Sequence, residues 1–297
     1  MGELRFDGRV AVVTGAGRGI GRAHALLLAS KGARVVVADV GCEIDGSGAS
    51  TEPADDVVRE IEANGGEAVA TNASVADEDG AAAIVAAALD AFGRIDVVVN
   101  NAGIFHPAPF AELSADDFRA MIDVHYLGTV LVTKAAWPHM VAAGYGRIVN
   151  TTSESILGVP LLSSYGAAKG AIFALTRNLA VDGAADGIRA NCLAPQAGTR
   201  MALAHGAAMS MPSEMLEQGV ASMPPEMNAP AAAFLAHESC VLNGEVLHVV
   251  PGRVSRLAVV RTRGFEHDTI TAEDIAAHLD EIMDPTDAHV ANVGGPF

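Results

Sequence analysis

The chain has 297 residues, half of them hydrophobic, and carries 36 acidic against 19 basic side chains for a net charge of −17. That balance repels phosphate backbones and anionic bilayer surfaces at long range, which argues against a nucleic-acid partner. No apolar run of about 18 residues is present to insert in a membrane, and no short apolar stretch follows a basic N-terminal segment, so the expectation is a soluble, untargeted chain. Cys42, Cys192 and Cys240 lie far apart, without metal-binding spacing or a disulfide framework; a reducing compartment, the cytoplasm, and no metal are expected.

In chain order, valine- and isoleucine-rich segments at 9–14, 34–39, 67–71, 95–100, 147–152, 188–193 and 245–250 predict seven short strands buried on both faces. Helical stretches separate them. Start signals are Thr51 to Pro53 ahead of DDVVREIEA and Ser114 with Asp117 three residues later; alanine-rich runs lie near 77–92 and 163–182. This alternation predicts a three-layer α/β/α domain on a doubly wound parallel sheet with right-handed crossovers.

Three regions break the rhythm. Residues 41–52 form a Gly/Ser loop longer than most strand-to-helix connections. Residues 196–228 hold six of the ten methionines, Met201, Met209, Met211, Met215, Met223 and Met227, with Pro212, Pro224 and Pro225. Residues 264–297 follow the last strand; Thr271, Asp274 and the spacing of Ile275, Leu279 and Ile282 predict one capped helix before a Gly/Pro tail. The expected organisation is a main domain over 1–263 and a C-terminal helical extension over 264–297.

TGAGRGIG at 14–21 follows the first strand and opens a helix. Gly15, Gly19 and Gly21 suit a turn that visits positive φ and lets the backbone approach a pyrophosphate, which then sits at a helix N-terminus. Asp39 ends the second strand, where a carboxylate accepts from both adenosine ribose hydroxyls and opposes a 2′-phosphate. Arg18, beside it, is expected to lie outward or against pyrophosphate. Tyr165 and Lys169 stand at i and i+4, so on a helix they share one face, and an ammonium near a phenol favours the phenolate.

TGAGRGIG, NNAG at 100–103, Ser153 at the end of the fifth strand, the Tyr165/Lys169 pair and IRANCLAPQAGT at 188–199 occur in the order of the short-chain dehydrogenase/reductase family, and residues 5–255 resemble it. More narrowly, LRFDGRV, the loop at 41–52, AFGRIDVVVNNAG, AAWPHM, APQAGTRM and HESCVLNGE resemble the (3R)-hydroxyacyl-CoA dehydrogenase domain of the peroxisomal multifunctional enzymes of type 2.

The resemblance implies a Rossmann-type domain, NAD as cofactor and hydride exchange between a secondary alcohol and its ketone. It implies Tyr165 as the acid–base, Lys169 lowering its pKa and holding the nicotinamide ribose, and Ser153 bonding the substrate oxygen. Gly15, Arg18, Gly19, Ile20, Gly21, Asp39, Asn101, Ala102, Gly103, Pro195 and Thr199 would line the cofactor. His125 takes the place of the asparagine in the family's proton relay; it is a relay member or a buried structural histidine. Ser153 lies twelve residues before Tyr165 where thirteen is usual, leaving Thr152 and Ser155 as alternatives. The acidic residue that faces adenine in the family falls on Asn72 or Ala73. Glu154 faces solvent or the substrate mouth.

Residues 196–228 would form the lid, and a methionine-rich lid suits a bulky apolar substrate, a 3-hydroxyacyl-CoA or a steroid. His106, Pro107 and Phe110 are candidates for the opposite wall. The family also implies a homodimer or homotetramer. The rival readings are a hydroxysteroid or general alcohol dehydrogenase and a non-catalytic dinucleotide-binding protein.

Overall fold

The computed structural model describes residues 2–294. Seven parallel strands form where the valine-rich segments predict them: β1 (Val10–Thr14), β2 (Arg34–Ala38), β3 (Glu67–Thr71), β4 (Val97–Asn100), β5 (Gly146–Thr151), β6 (Ile188–Pro195) and β7 (Val246–Val250). They lie in the order β3-β2-β1-β4-β5-β6-β7. An eighth strand, β8 (Arg253–Leu257), pairs antiparallel with β7, so the sheet has eight strands rather than the expected seven. Its sequence, RVSRL, has two arginines and one exposed face, which hides it from a search for doubly buried strands. Gly252, at φ 73° in the connection, lets the chain turn back.

Helices α1 (Gly19–Ser30), α2 (Glu52–Ala63) and α9 (Ala229–Ala236) cover one face, and α3 (Glu78–Phe92), α5 (Gly128–Ala143) and α6 (Ser163–Asp182) the other. The pleat divides the core accordingly: Ala11 and Val13 of β1 pack in the first cluster, Val10 and Val12 in the second. Short helix α4 (Ala115–Met121) starts with the expected capping box between Ser114 and Asp117 and runs through a π-helical turn at Ile122–Leu127 into α5. Helix α2 begins after Thr51 with Pro53 in its first turn, but the Thr51 side chain makes no capping bond.

After β6, α7 (Arg200–Ala208) and α8 (Ser213–Ala221) form the segment above the sheet's C-terminal edge. Beyond β8, a two-stranded ribbon of β9 (Val260–Arg261) and β10 (His289–Val290) brackets α10 (Ala272–Ala277) and α11 (Leu279–Met283). The Thr271/Asp274 capping box forms, but the expected single helix is two, broken at His278, whose ring stacks on Phe265 at 4.2 Å. The extension lies against α6, where Arg177 donates to the Ala291 carbonyl at 2.6 Å. No helix among the described residues is long and apolar enough to cross a membrane.

Candidate active site

The strand order reverses between β1 and β4, and an open cavity of about 970 Å³ lies at the C-terminal ends of the strands on this crevice. It runs from Asp39 past the glycine turn to Ser153, Tyr165 and the lid. Gly15 adopts φ 63°, and a Cβ on it would stand 2.7 Å from the Ala102 Cα. A Cβ on Gly21 would stand 2.1 Å from the Gly15 carbonyl oxygen, so Gly21 supports the turn from behind rather than lining the cavity. Gly19, Arg18 and Ile20 do line it. Thr14 ties the turn to NNAG: its hydroxyl accepts from the Asn101 and Ala102 amides, and the Asn101 side chain donates to the Thr14 and Gly15 carbonyls.

Asp39 reaches the cavity with each carboxylate oxygen already accepting a backbone N–H, from Gly17 and Gly41, both at 2.7 Å. Arg18 donates to the Cys42 carbonyl at 3.1 Å, so its guanidinium is held by the loop after β2. That loop folds onto the segment following NNAG, where the Phe105 amide donates to the Ile44 carbonyl. Ala73 lines the cavity at the family's adenine position and supplies no carboxylate; Asn72 does not line it.

Tyr165 and Lys169 share a face of α6 and meet β5 from above, as their spacing predicts. Lys169 Nζ donates to the Thr151 carbonyl at 2.7 Å and lies 5.5 Å from the Tyr165 ring centre. Burial pushes the lysine down to about 7 and the phenol up to about 12, with a hydrogen bond to Ser153 opposing the second shift. Thr152 is committed to structure, donating to the Lys169 carbonyl at 2.9 Å. All three line the cavity, but the Ser155 hydroxyl is buried without a partner among the described residues, while Ser153 accepts from the Ser155 amide and bonds the Tyr165 phenol. The three hydroxyls thus separate, and Ser153 is the one beside the phenol.

His125 is buried edge-on to Tyr165, ring centres 5.2 Å apart. Its Nε2 meets both the Ile104 amide, at 3.2 Å, and the Ile104 carbonyl, at 2.8 Å, while Nδ1 has no partner. Burial holds its pKa well below the ordinary imidazole range. A Cβ on Gly103 would stand 2.3 Å from the ring, so His125 shapes the NNAG segment directly.

Asn101, Ala102, Gly103, Pro195 and Thr199 also line the cavity. On the lid, Met201, Met211, Met215 and Met223 line it, whereas Met209 and Met227 are exposed and lie outside its wall. The opposite wall differs from expectation. Phe110 is 72% exposed against Phe118, and neither it, His106 nor Pro107 lines the cavity. Phe105 takes that place, edge-on to Tyr165 at 5.1 Å. Phe105 lies one residue before His106 and two after Gly103, so the wall falls nearer to NNAG than expected.

The short chain dehydrogenase family matches residues 9–206. The chain is 44% identical over 285 residues to a short-chain type dehydrogenase/reductase of Mycobacterium tuberculosis, covering 95% of this chain and 96% of that one. It is 41% identical over 290 residues to peroxisomal multifunctional enzyme type 2 of Mus musculus, covering 96% of this chain but 38% of that enzyme's length. A 7α-hydroxysteroid dehydrogenase solved with NADH and 7-oxo glycochenodeoxycholic acid superposes with a TM-score of 0.73 at 30% identity, over 85% of this chain and 98% of that one.

Proposed function

The chain belongs to the short-chain dehydrogenase/reductase family, and on that premise we propose that it is an NAD-dependent dehydrogenase acting on a 3-hydroxyacyl-CoA and its 3-oxo counterpart. The observation that carries the chemistry is the meeting of Ser153, Tyr165 and Lys169 in one cavity with the glycine turn and Asp39.

The residues fit NAD. The helix N-terminus after Gly19 suits pyrophosphate, and Asp39 retains lone pairs for ribose hydroxyls while opposing a 2′-phosphate. Arg18 spends one N–H on the Cys42 carbonyl, which ties it to the loop after β2. NAD, when bound, supplies the hydride acceptor at its nicotinamide ring. Tyr165 Oη takes the carbinol proton in oxidation and returns it in reduction; Ser153 hydrogen-bonds the reacting oxygen; Lys169 would hold the nicotinamide ribose. A phenol pushed up to about 12 is a proton donor, the state that ketone reduction needs. Oxidation needs the phenolate, and the ammonium form of Lys169 is the group placed to stabilise it.

The substrate class is supported by the methionine wall and by the similarity to the multifunctional enzyme. Arg200, at the start of the lid and paired with Glu43 at 3.3 Å, is the basic group available to a CoA phosphate. A hydroxysteroid is the second reading, favoured by the apolar wall and by the similarity to the 7α-hydroxysteroid dehydrogenase. Steady-state kcat/KM for a (3R)-hydroxyacyl-CoA, its free acid and a hydroxysteroid, each with NAD and NADP at two salt concentrations, separates them. The expected order is acyl-CoA first with NAD, its advantage shrinking as salt rises. A steroid preferred over every acyl-CoA overturns the substrate, and preference for NADP overturns the cofactor.

A further inference from the structure

Three adjacent strands bring polar side chains together at one corner of the cavity that neither the proton transfer nor the cofactor uses; Glu154 and Gln196 line the cavity, and His248 is buried beside them without lining it. Glu154 follows β5, Gln196 follows β6, and His248 lies within β7, in register with Ala194. Gln196 Nε2 donates to Glu154 Oε2 at 2.6 Å, and His248 Nε2 stands 3.3 Å from Glu154 Oε1. The Gln196 backbone is fixed: its main-chain N–H donates to the Val249 carbonyl at 2.8 Å, and its main-chain carbonyl accepts from the buried Asn228 side chain at 2.9 Å. The Glu154 carboxylate is therefore anchored, yet its side chain keeps 39% of its exposure and lines the cavity one residue from Ser153.

A fixed negative charge in this position acts on whatever is attached to the reacting carbon. Of the two branches of a 3-hydroxyacyl group, the alkyl branch suits the methionine wall of the lid, which leaves the carboxyl-derived branch for the Glu154–Gln196 side. We propose that Glu154 is a specificity determinant that repels a free carboxylate two carbons from the carbinol and so restricts the site to neutral acyl derivatives. The proposal rests on the hydroxyacyl reading above. Two like charges about 6–8 Å apart near a protein surface repel strongly enough to change affinity by roughly tenfold to a hundredfold. Gln196 is a neutral donor, so it holds the carboxylate without cancelling its charge; His248, 3.3 Å from Oε1, offsets that charge when protonated, so the filter belongs to the state with His248 neutral.

The test uses binding, in the presence of NADH so that no oxidation occurs. The ligands are 3-hydroxydecanoate and its N-acetylcysteamine thioester, which is uncharged and lacks the CoA phosphates. Dissociation constants are measured for wild type, Glu154→Gln and Glu154→Ala. The preference of wild type for thioester over acid should fall by about tenfold or more in both variants. Raising ionic strength from about 0.01 M to about 1 M should strengthen acid binding relative to thioester more in wild type than in either variant, because salt shortens the screening length from roughly 30 Å to roughly 3 Å and only wild type carries the Glu154 charge beside the ligand. A preference unchanged within about twofold in both variants, with the same salt response as wild type, overturns the filter while leaving the dehydrogenase reading intact. Failure of wild type to bind either ligand overturns the acyl reading and the filter with it.

Discussion

At the scale of single residues, burial works against the charges that the Tyr165/Lys169 pair needs. The i, i+4 spacing makes it legible from sequence that the two share a face. It does not reveal that Lys169 is buried and Tyr165 half-buried, with desolvation taking the lysine down to about 7 and the phenol up to about 12. Those shifts come from the strand that the helix lands on, a fact of topology. Likewise the choice among Thr152, Ser153 and Ser155 cannot be read from spacing when one residue is missing; hydrogen bonding separates them, since Thr152 is spent on the Lys169 carbonyl, the Ser155 hydroxyl is buried, and Ser153 is the one bonded to the Tyr165 phenol. Ser153→Ala should lower kcat by about 10²-fold, the usual scale of a catalytic hydrogen bond, whereas Ser155→Ala should stay within a few-fold of wild type. Steady-state rates of the two variants decide it, and the reverse order would move the catalytic hydroxyl to Ser155.

At the scale of elements, the glycine turn is the best-defined case. Gly21 opens α1 under the Gly15 carbonyl, and the atom that a side chain would meet is backbone, which cannot swing away as a long side chain would. Gly21→Ala should therefore cost about 1–3 kcal/mol of stability and displace the turn, weakening dinucleotide binding along with it. Denaturant midpoints and NAD titration measure both, and an unchanged NAD affinity would show that the turn is not the pyrophosphate cradle. The inner parallel strands were legible because their apolar runs are buried on both faces, whereas edge strand β3, half-exposed, was marked by its short apolar run between helical stretches. Strand β8 was not, because an edge strand with one exposed face lacks that run. The lid was partly legible: methionine content marked it, but only four of the six side chains named there line the cavity, since Met209 follows α7 and Met227 sits in the turn after α8, and composition does not tell which way such connections face.

At the scale of the whole molecule, the fold keeps two histidines buried and neutral. His24 in α1 has no partner for either ring nitrogen and is held down to about 4 by desolvation; His125 is lowered in the same direction. Below an ordinary imidazole pKa the unfolded chain binds protons that the native one refuses, so stability falls as pH drops from about 6.5 to about 4 and His24 alone accounts for roughly 3 kcal/mol. His24→Leu, which removes that titration, should lose roughly 3 kcal/mol less between pH 7 and 4 in urea unfolding. Parallel pH profiles for the two proteins would refute this. The central claim is that one cavity combines a dinucleotide site with a tyrosine proton carrier. The most direct test compares NADH formation from a (3R)-hydroxyacyl-CoA by wild type and Tyr165→Phe, with NAD affinity measured in parallel. The account predicts turnover lower by at least about 10²-fold with NAD affinity changed by no more than about twofold. Near-normal turnover in the phenylalanine variant would contradict it.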